Sequence, residues 1–146
     1  MRIRYAKASD VDTIYEIGKS DFRTEGWFTK DIIRKTIKDN PRLCWSLEYK
    51  GSVIGSRLFC EYEGRDAWGW LIIIKSGMRH HHLGSTLFDY CCKQLKERGF
   101  KRIITDVSTK NKASMGWHKK MGYRKLGVVK DWYGRGKSAI ILERRI

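Results

Sequence analysis

The stretch MRHHHLGSTLFDY, Met78 to Tyr90, sets three consecutive histidines before a glycine and the start of an apolar helical pattern. That pattern continues as Leu87, Phe88, Cys91, Cys92 and Leu95, an amphipathic stripe that Gly99 ends. Just upstream, AWGWLIIIK (Ala67 to Lys75) is almost wholly apolar, as a strand covered on both faces must be. A strand, a short loop and a helix in this order turn backbone N–H groups toward the loop, where the helix dipole favours an anion. A metal centre fits the histidines poorly. Metal ligands must converge on one point, whereas neighbours in a tight loop diverge, and no cysteine or carboxylate stands at ligand spacing. A phosphate-facing loop and a merely solvated histidine loop both stay open from the residues alone, and no metal is expected.

Working outward, RIRYAKA (Arg2 to Ala8) alternates as a strand does. Ser9 and Asp12 have the spacing of a capping box, and Val11, Ile14, Tyr15 and Gly18 follow at helical intervals. A second helix begins near Thr29, with Ile32, Ile33, Thr36 and Ile37 on one side, and stops at Asn40 and Pro41, the only proline. Three strands come next: LCWSLEYK, SVIGSRLFCEYE and the apolar AWGWLIIIK, turned at Lys50-Gly51 and Gly64-Arg65. After the third helix, KRIITDV is a buried strand, Asn111 to Met121 a helix capped by Gly122, and YRKLGVV and SAIILER are strands joined by KDWYGRGK. The order β-α-α-β-β-β-α-β-α-β-β predicts one domain over residues 1–146, with a mixed sheet carrying helices on its faces, in the α/β to α+β range.

Composition bounds the function. The chain has 146 residues, 41% hydrophobic, enough for a core without disulfides. No apolar run approaches the roughly 20 residues of a membrane span, and no leader pattern opens the chain. A cytoplasmic protein without a membrane partner is expected. Cys44, Cys60, Cys91 and Cys92 show no Cys-x-x-Cys pair and read as reduced, structural thiols. Net charge is +15, and residues 75–146 carry 18 of the 31 Lys+Arg but 5 of the 16 Asp+Glu. That half attracts anions: phosphates, nucleic acid or an acidic protein.

With these elements in place, the chain resembles the GNAT superfamily of acyl-CoA N-acyltransferases, whose mixed, mostly antiparallel sheet is flanked by about four helices. Two motifs carry the resemblance. Arg79-His80-His81-His82-Leu83-Gly84 is similar to the family's pyrophosphate loop, Arg/Gln-x-x-Gly-x-Gly/Ala, with His82 where the first glycine belongs. The histidine still offers its amide, on the expectation that its φ stays negative. NKASMGWHKKMGY (Asn111 to Tyr123) resembles the family's Asn-x-x-Ala/Ser segment, with Asn111, Ser114, His118, Gly122 and Tyr123 at matching positions. SVIGSRLF is similar to the family's hairpin strand, where a small residue lets the sheet pack closely.

The resemblance implies acetyl-CoA as co-substrate and a primary amine as acceptor, by direct attack on the thioester. It assigns the co-substrate to Ile72, Ile73 and Ile74, to Arg79, His80, His81, His82, Leu83, Gly84 and Ser85, and to Asn111 and Ser114. His118 is expected to protonate the leaving sulfur because histidine titrates near neutral pH. Asp106 is the favoured base, with Glu25, Glu61 and Glu63 behind it. Phe22, Trp27 and Phe28, together with Trp132 and Tyr133, are expected to wall the acceptor site, as in the last hairpin of protein N-terminal acetyltransferases. Monomer and homodimer both remain open. Two other functions compete: a basic RNA- or protein-binding module that keeps the fold but not the chemistry, and a toxin-like acetyltransferase acting on aminoacyl-tRNA.

Overall fold

The structure, a computed structural model, describes residues 1–22, 25–79 and 81–146. The elements follow the expected order: β1 (Arg2–Tyr5), α1 (Val11–Phe22), α2 (Lys30–Asp39), β2 (Cys44–Tyr49), β3 (Ser52–Glu61), β4 (Asp66–Ile74), α3 (Leu83–Glu97), β5 (Arg102–Ser108), α4 (Lys112–Lys120), β6 (Arg124–Val129) and β7 (Ala139–Arg145). Short 3-10 turns at Ala8–Asp10 and Ser76–Met78 precede α1 and follow β4.

Local chemistry explains most boundaries. α2 begins near Thr29 as expected, and Thr29 caps it, accepting from Ile32 N at 3.2 Å. The box at Ser9 and Asp12 does not form. Asp10 takes that place instead: buried, it accepts from Lys7 N at 2.9 Å and pairs with Arg4 at 2.8 Å. On α2 the buried side is Ile33 and Ile37, while Ile32 faces solvent. Lys50 (φ 50°) and Gly51 (φ 79°) both take the left-handed conformation that a two-residue hairpin turn between β2 and β3 requires.

The seven strands form one sheet in the order β1-β2-β3-β4-β5-β7-β6. Neighbours are antiparallel except β4 and β5, which run parallel. That parallel pairing is short. It ends at Trp68↔Ile104, although β4 runs to Ile74 and β5 to Ser108. A bulge explains the parting. Leu58 faces Leu71 and Phe59 faces Gly69, so Trp70 is an extra residue on β4. One added residue reverses the alternation of faces. Ala67, before the bulge, packs with Leu87, Phe88 and Leu95 of α3; Leu71 and Ile73, after it, pack with Ile14 and Ile33 of α1 and α2.

Each face of the sheet thus has its own core. One lies under α3 and α4, the other under α1 and α2. Ile14, Ile33, Leu58, Leu87 and Leu95 are wholly buried, each contributing about 1.5–3 kcal/mol relative to exposure. All four cysteines are free thiols, two of them buried. Among the described residues, no helix is long and apolar enough to cross a membrane.

Candidate active site

The parting of β4 from β5 leaves one edge of β4 without a strand partner. Lys75 N–H donates to Ile54 O of β3 at 2.7 Å, and a side chain at Gly55 would meet Ile73 O at 2.9 Å. Positions 73 and 75 therefore face β3. Alternation turns the peptide groups of Ile72 and Ile74 the other way, into the gap. Ile74 O is met there by Arg79 Nε at 3.0 Å. Of the three isoleucines expected to offer backbone groups, Ile73 is tied to the hairpin instead. The Thr105 hydroxyl donates to Gly69 O and closes the narrow end of the gap.

A cavity of about 340 Å³ lies over this gap. Trp70, Leu71 and Ile72 line it from β4, residues 105–108 from β5, and Ser114 and His118 from α4. The α1–α2 connection adds Phe22, Glu25 and Trp27, and the β6–β7 loop adds Tyr133.

α4 begins with Asn111, which caps it by accepting from Ser114 N at 3.0 Å and also lines the cavity. Two turns later comes His118, only 3% exposed. Its Nδ1 lies 2.7 Å from Ser114 O. A carbonyl only accepts, so Nδ1 carries the proton and Nε2 presents a lone pair with no protein partner. Burial holds the pKa at about 4, against 6.5 for an exposed histidine. The expected titration near neutrality is therefore absent: at pH 7 the ring is an acceptor and not an acid.

Asp106 accepts from both sides, from Trp68 Nε1 at 2.7 Å and from the Tyr133 hydroxyl at 2.5 Å. This fixes its carboxylate in the cavity wall, and burial beside that carboxylate pushes the Tyr133 phenol upward. Glu25 and Asp21 also line the cavity, whereas Glu61 and Glu63 do not. Among the expected acceptor walls, Phe22, Trp27 and Tyr133 are in place. Phe28 is 3% exposed and belongs to the α1–α2 core, where a side chain at Gly18 would meet it at 2.4 Å. Trp132 lies outside the lining, stacked on Trp68 at 6.0 Å between ring centroids.

At the far end of β4, the helix N-terminus has the geometry expected of an anion cradle, by an unexpected route. His82 is left-handed (φ 58°, ψ 18°), so the histidine adopts the conformation of the glycine it replaces rather than a negative φ. Leu83 is anchored beside Leu47 and Ile54, and Thr86 N makes the first helical bond, to His82 O. Among the described residues, the N–H groups of Leu83, Gly84 and Ser85 have no acceptor. His81 is exposed, and His80 lies outside the described residues. The Arg79 guanidinium pairs with Asp21 at 2.6 Å, latching α1 to the end of β4. A side chain at Gly84 would touch Trp117 at 3.7 Å, and Trp117 precedes His118, so the loop and the cavity adjoin through α4. The described residues contain no cluster of His, Cys, Asp and Glu able to hold a metal.

Three contributors had no sequence signal: Trp68, Trp70 and Arg57. Arg57 is buried, lines the cavity from β3 and donates to the Tyr123 hydroxyl at 3.3 Å. Polar satisfaction points to the same place. Among the described residues five buried side-chain polar atoms lack a partner, and four of them belong to cavity-lining residues: Trp27 Nε1, Arg57 Nε, Trp70 Nε1 and His118 Nε2. Folded proteins rarely leave such atoms unpaired, and these four cluster around the one cavity.

A mostly antiparallel sheet split at its parallel pair, with a helix N-terminus at one end of the split and a polar-studded cavity over it, defines the N-acetyltransferase class of enzyme. Residues 11–123 match the Acetyltransferase (GNAT) family, and the chain belongs to it. It is 30% identical over 141 residues, 96% of this chain and 92% of the other, to a Bacillus subtilis (strain 168) protein provisionally named a [ribosomal protein bS18]-alanine N-acetyltransferase. It is 26% identical to the phosphinothricin N-acetyltransferase of Streptomyces viridochromogenes, over 89% of this chain and 78% of that one. Its fold matches Ard1 from Thermoplasma volcanium with a TM-score of 0.91 at 21% identity, covering 99% and 97% of the two chains. It also matches an N-acetyltransferase from Thermoplasma acidophilum solved with coenzyme A, with a TM-score of 0.79 at 19% identity over 99% and 98%.

Proposed function

We propose that residues 1–146 form one acetyltransferase domain that moves the acetyl group of acetyl-CoA to the α-amino group of a protein N-terminus. The observation that carries this reading is the set of unpartnered polar atoms around one cavity at the split between β4 and β5. The residues suit the co-substrate. The free N–H groups at the start of α3 would hold a diphosphate, and the unpaired β4 edge at Ile72 would hold an amide-bearing arm. Acetyl-CoA supplies an activated carbonyl and a thiolate leaving group when bound.

The chain's own groups then have distinct tasks. Ile72 N–H, fixed by the strand, is a preorganised donor for an oxyanion. Asp106, held between Trp68 and Tyr133 in a lining that also carries Glu25, Asp21, Arg57 and Lys110, offers a carboxylate to an ammonium group despite the overall charge of +15. Trp27 and Trp70 offer indole N–H donors to a peptide's carbonyls. His118 Nε2 accepts the proton that the amine sheds on forming the amide and passes it to the sulfur, a relay suited to an imidazole that is neutral at rest.

An α-amine fits this machinery better than a lysine. Its pKa of about 7.7–8.0 leaves a good fraction neutral near pH 7.5, whereas a lysine near 10.4 needs a strong base. Asp106 accepts hydrogen bonds from Trp68 and Tyr133, which orient its carboxylate in the cavity wall. The Bacillus subtilis relative, named for a ribosomal protein alanine, supports the same acceptor class. Four unpaired cysteines and the use of acetyl-CoA suit a reducing cytoplasm.

The test is coenzyme A release with peptides whose N-termini are free or blocked, followed by mass spectrometry of the product. Acetylation of free N-termini alone is expected. Turnover on lysine side chains or small amines, with none on free N-termini, would overturn the acceptor assignment.

A further inference from the structure

Among the described residues Arg57 is the one buried lysine or arginine, at 1% exposure. It stands on β3 opposite Ile72 of β4. Its guanidinium lies over the Phe59 ring, 4.5 Å from the centroid, and donates from Nη2 to the Tyr123 hydroxyl. Nε has no partner, and among the described residues no carboxylate pairs with the group. The groups that feel its charge are Cys91, Cys92, His118 and Tyr123. Burial keeps all four neutral at pH 7, raising the thiols and the phenol and lowering the imidazole. A buried cation without a counter-charge costs several kcal/mol. Such a group persists where a ligand supplies the anion.

Position says which part of a ligand arrives there. Gly69 is the first β4 residue past the last β4–β5 pair, and a side chain on it would meet Arg57 Nη2 at 2.3 Å. The guanidinium therefore sits at the closed end of the gap. The anion-binding start of α3 lies at the other end, beyond Ile74. A thioester whose diphosphate rests on α3 and whose arm follows the free edge of β4 reaches Arg57 acyl end first.

We infer that the closed end of the gap receives a negatively charged acyl terminus, which extends the donor class to CoA monothioesters of dicarboxylic acids, of the malonyl and succinyl kind. This rests on the reading that a CoA thioester fills the gap. In the reaction the amine nitrogen bonds to the thioester carbon and the carbon–sulfur bond breaks. The bond's electron pair leaves on sulfur, the amine's proton ends there, and the distal carboxylate is untouched. The product carries a negative charge where the acceptor carried an ammonium. The acceptor's own carboxylate is the competing occupant, since Lys110 stands in the cavity lining beside Asp21, Glu25 and Asp106, and the Arg57→Met variant separates the two.

Calorimetric dissociation constants for acetyl-, butyryl-, malonyl- and succinyl-CoA test this. Butyryl- and succinyl-CoA share a four-carbon acyl chain and differ in the terminal carboxylate. In the wild-type protein succinyl-CoA, malonyl-CoA or both should bind about 10- to 100-fold more tightly than butyryl-CoA. Arg57→Met should erase that ratio, and Arg57→Lys should keep part of it. The wild-type series stands even where a variant fails to fold. Equal or weaker binding of both carboxylated thioesters overturns this inference alone. Failure of every thioester to bind overturns the proposed function with it. An Arg57→Met variant that changes the acceptor KM but leaves the acyl ratio assigns the guanidinium to the acceptor and also overturns the inference.

Discussion

At pH 7 the His118 ring is neutral because it is 3% exposed and holds its one proton against Ser114 O. Between its folded pKa of about 4 and the unfolded value of 6.5, the unfolded chain binds a proton that the native chain does not. Stability therefore rises with pH across that window and is level above it. Through this group alone the protein should lose on the order of 3 kcal/mol between pH 7 and pH 4. His118→Gln should flatten the slope, as read by urea unfolding at a series of pH values; an unchanged slope would return the imidazole to a solvated environment. Acyl transfer should not decline as pH rises through 6.5, since no imidazolium is being lost. His82 invites a second test. A left-handed non-glycine residue is strained, so His82→Gly should stabilise the fold by roughly 0.5–1 kcal/mol. A lower melting temperature in the variant would contradict that geometry.

Among the elements, the β6–β7 loop matters most for acceptor binding. Gly136 N and Ser138 Oγ bond Asp131 within the loop, and Tyr133 reaches across to Asp106. Tyr133→Phe removes the hydrogen bond that orients the carboxylate. The acceptor KM should rise about tenfold while acetyl-CoA affinity stays the same, because the charge-assisted bond lies on the acceptor side of the cavity. Parallel changes in both constants would show that the loop supports the whole cavity. β4 is the other decisive element. Its apolar run predicted a strand covered on both faces, and the strand formed over Asp66–Ile74. The extra residue at Trp70 leaves no mark in that run, because it depends on the pairing with β3 and on the Arg57 side chain occupying the space beside Gly69.

Over the whole molecule, positive charge surrounds a cavity whose lining mixes the carboxylates Asp21, Glu25 and Asp106 with the cations Arg57 and Lys110. A CoA thioester carries several negative charges, so its association should slow steeply with added salt, while a cationic N-terminus should depend on salt in the opposite sense or little. Stopped-flow association at 0.05 M and 0.5 M salt tests this; salt-independent thioester association would mean that the basic half plays no part in capture. The element order, the helix starts near Thr29 and Asn111, the loop before α3 and the family were legible in the chain, because spacing and glycines act over a few residues. The resemblance also placed Asp106, His118, Trp27 and Tyr133 in what became one cavity. Phe28 and Trp132 were misplaced, because an aromatic residue beside a cavity and one packed behind it look the same in sequence. By itself, then, the sequence determined the elements, their order and the candidate groups. Tertiary structure alone decided that β4 and β5 part after Trp68, that His118 is a neutral acceptor, and that Arg57 is buried in the cavity wall with no acid among the described residues paired to it. The reason is that register, burial and desolvation are set by neighbours far along the chain, and a string of residues carries none of those distances.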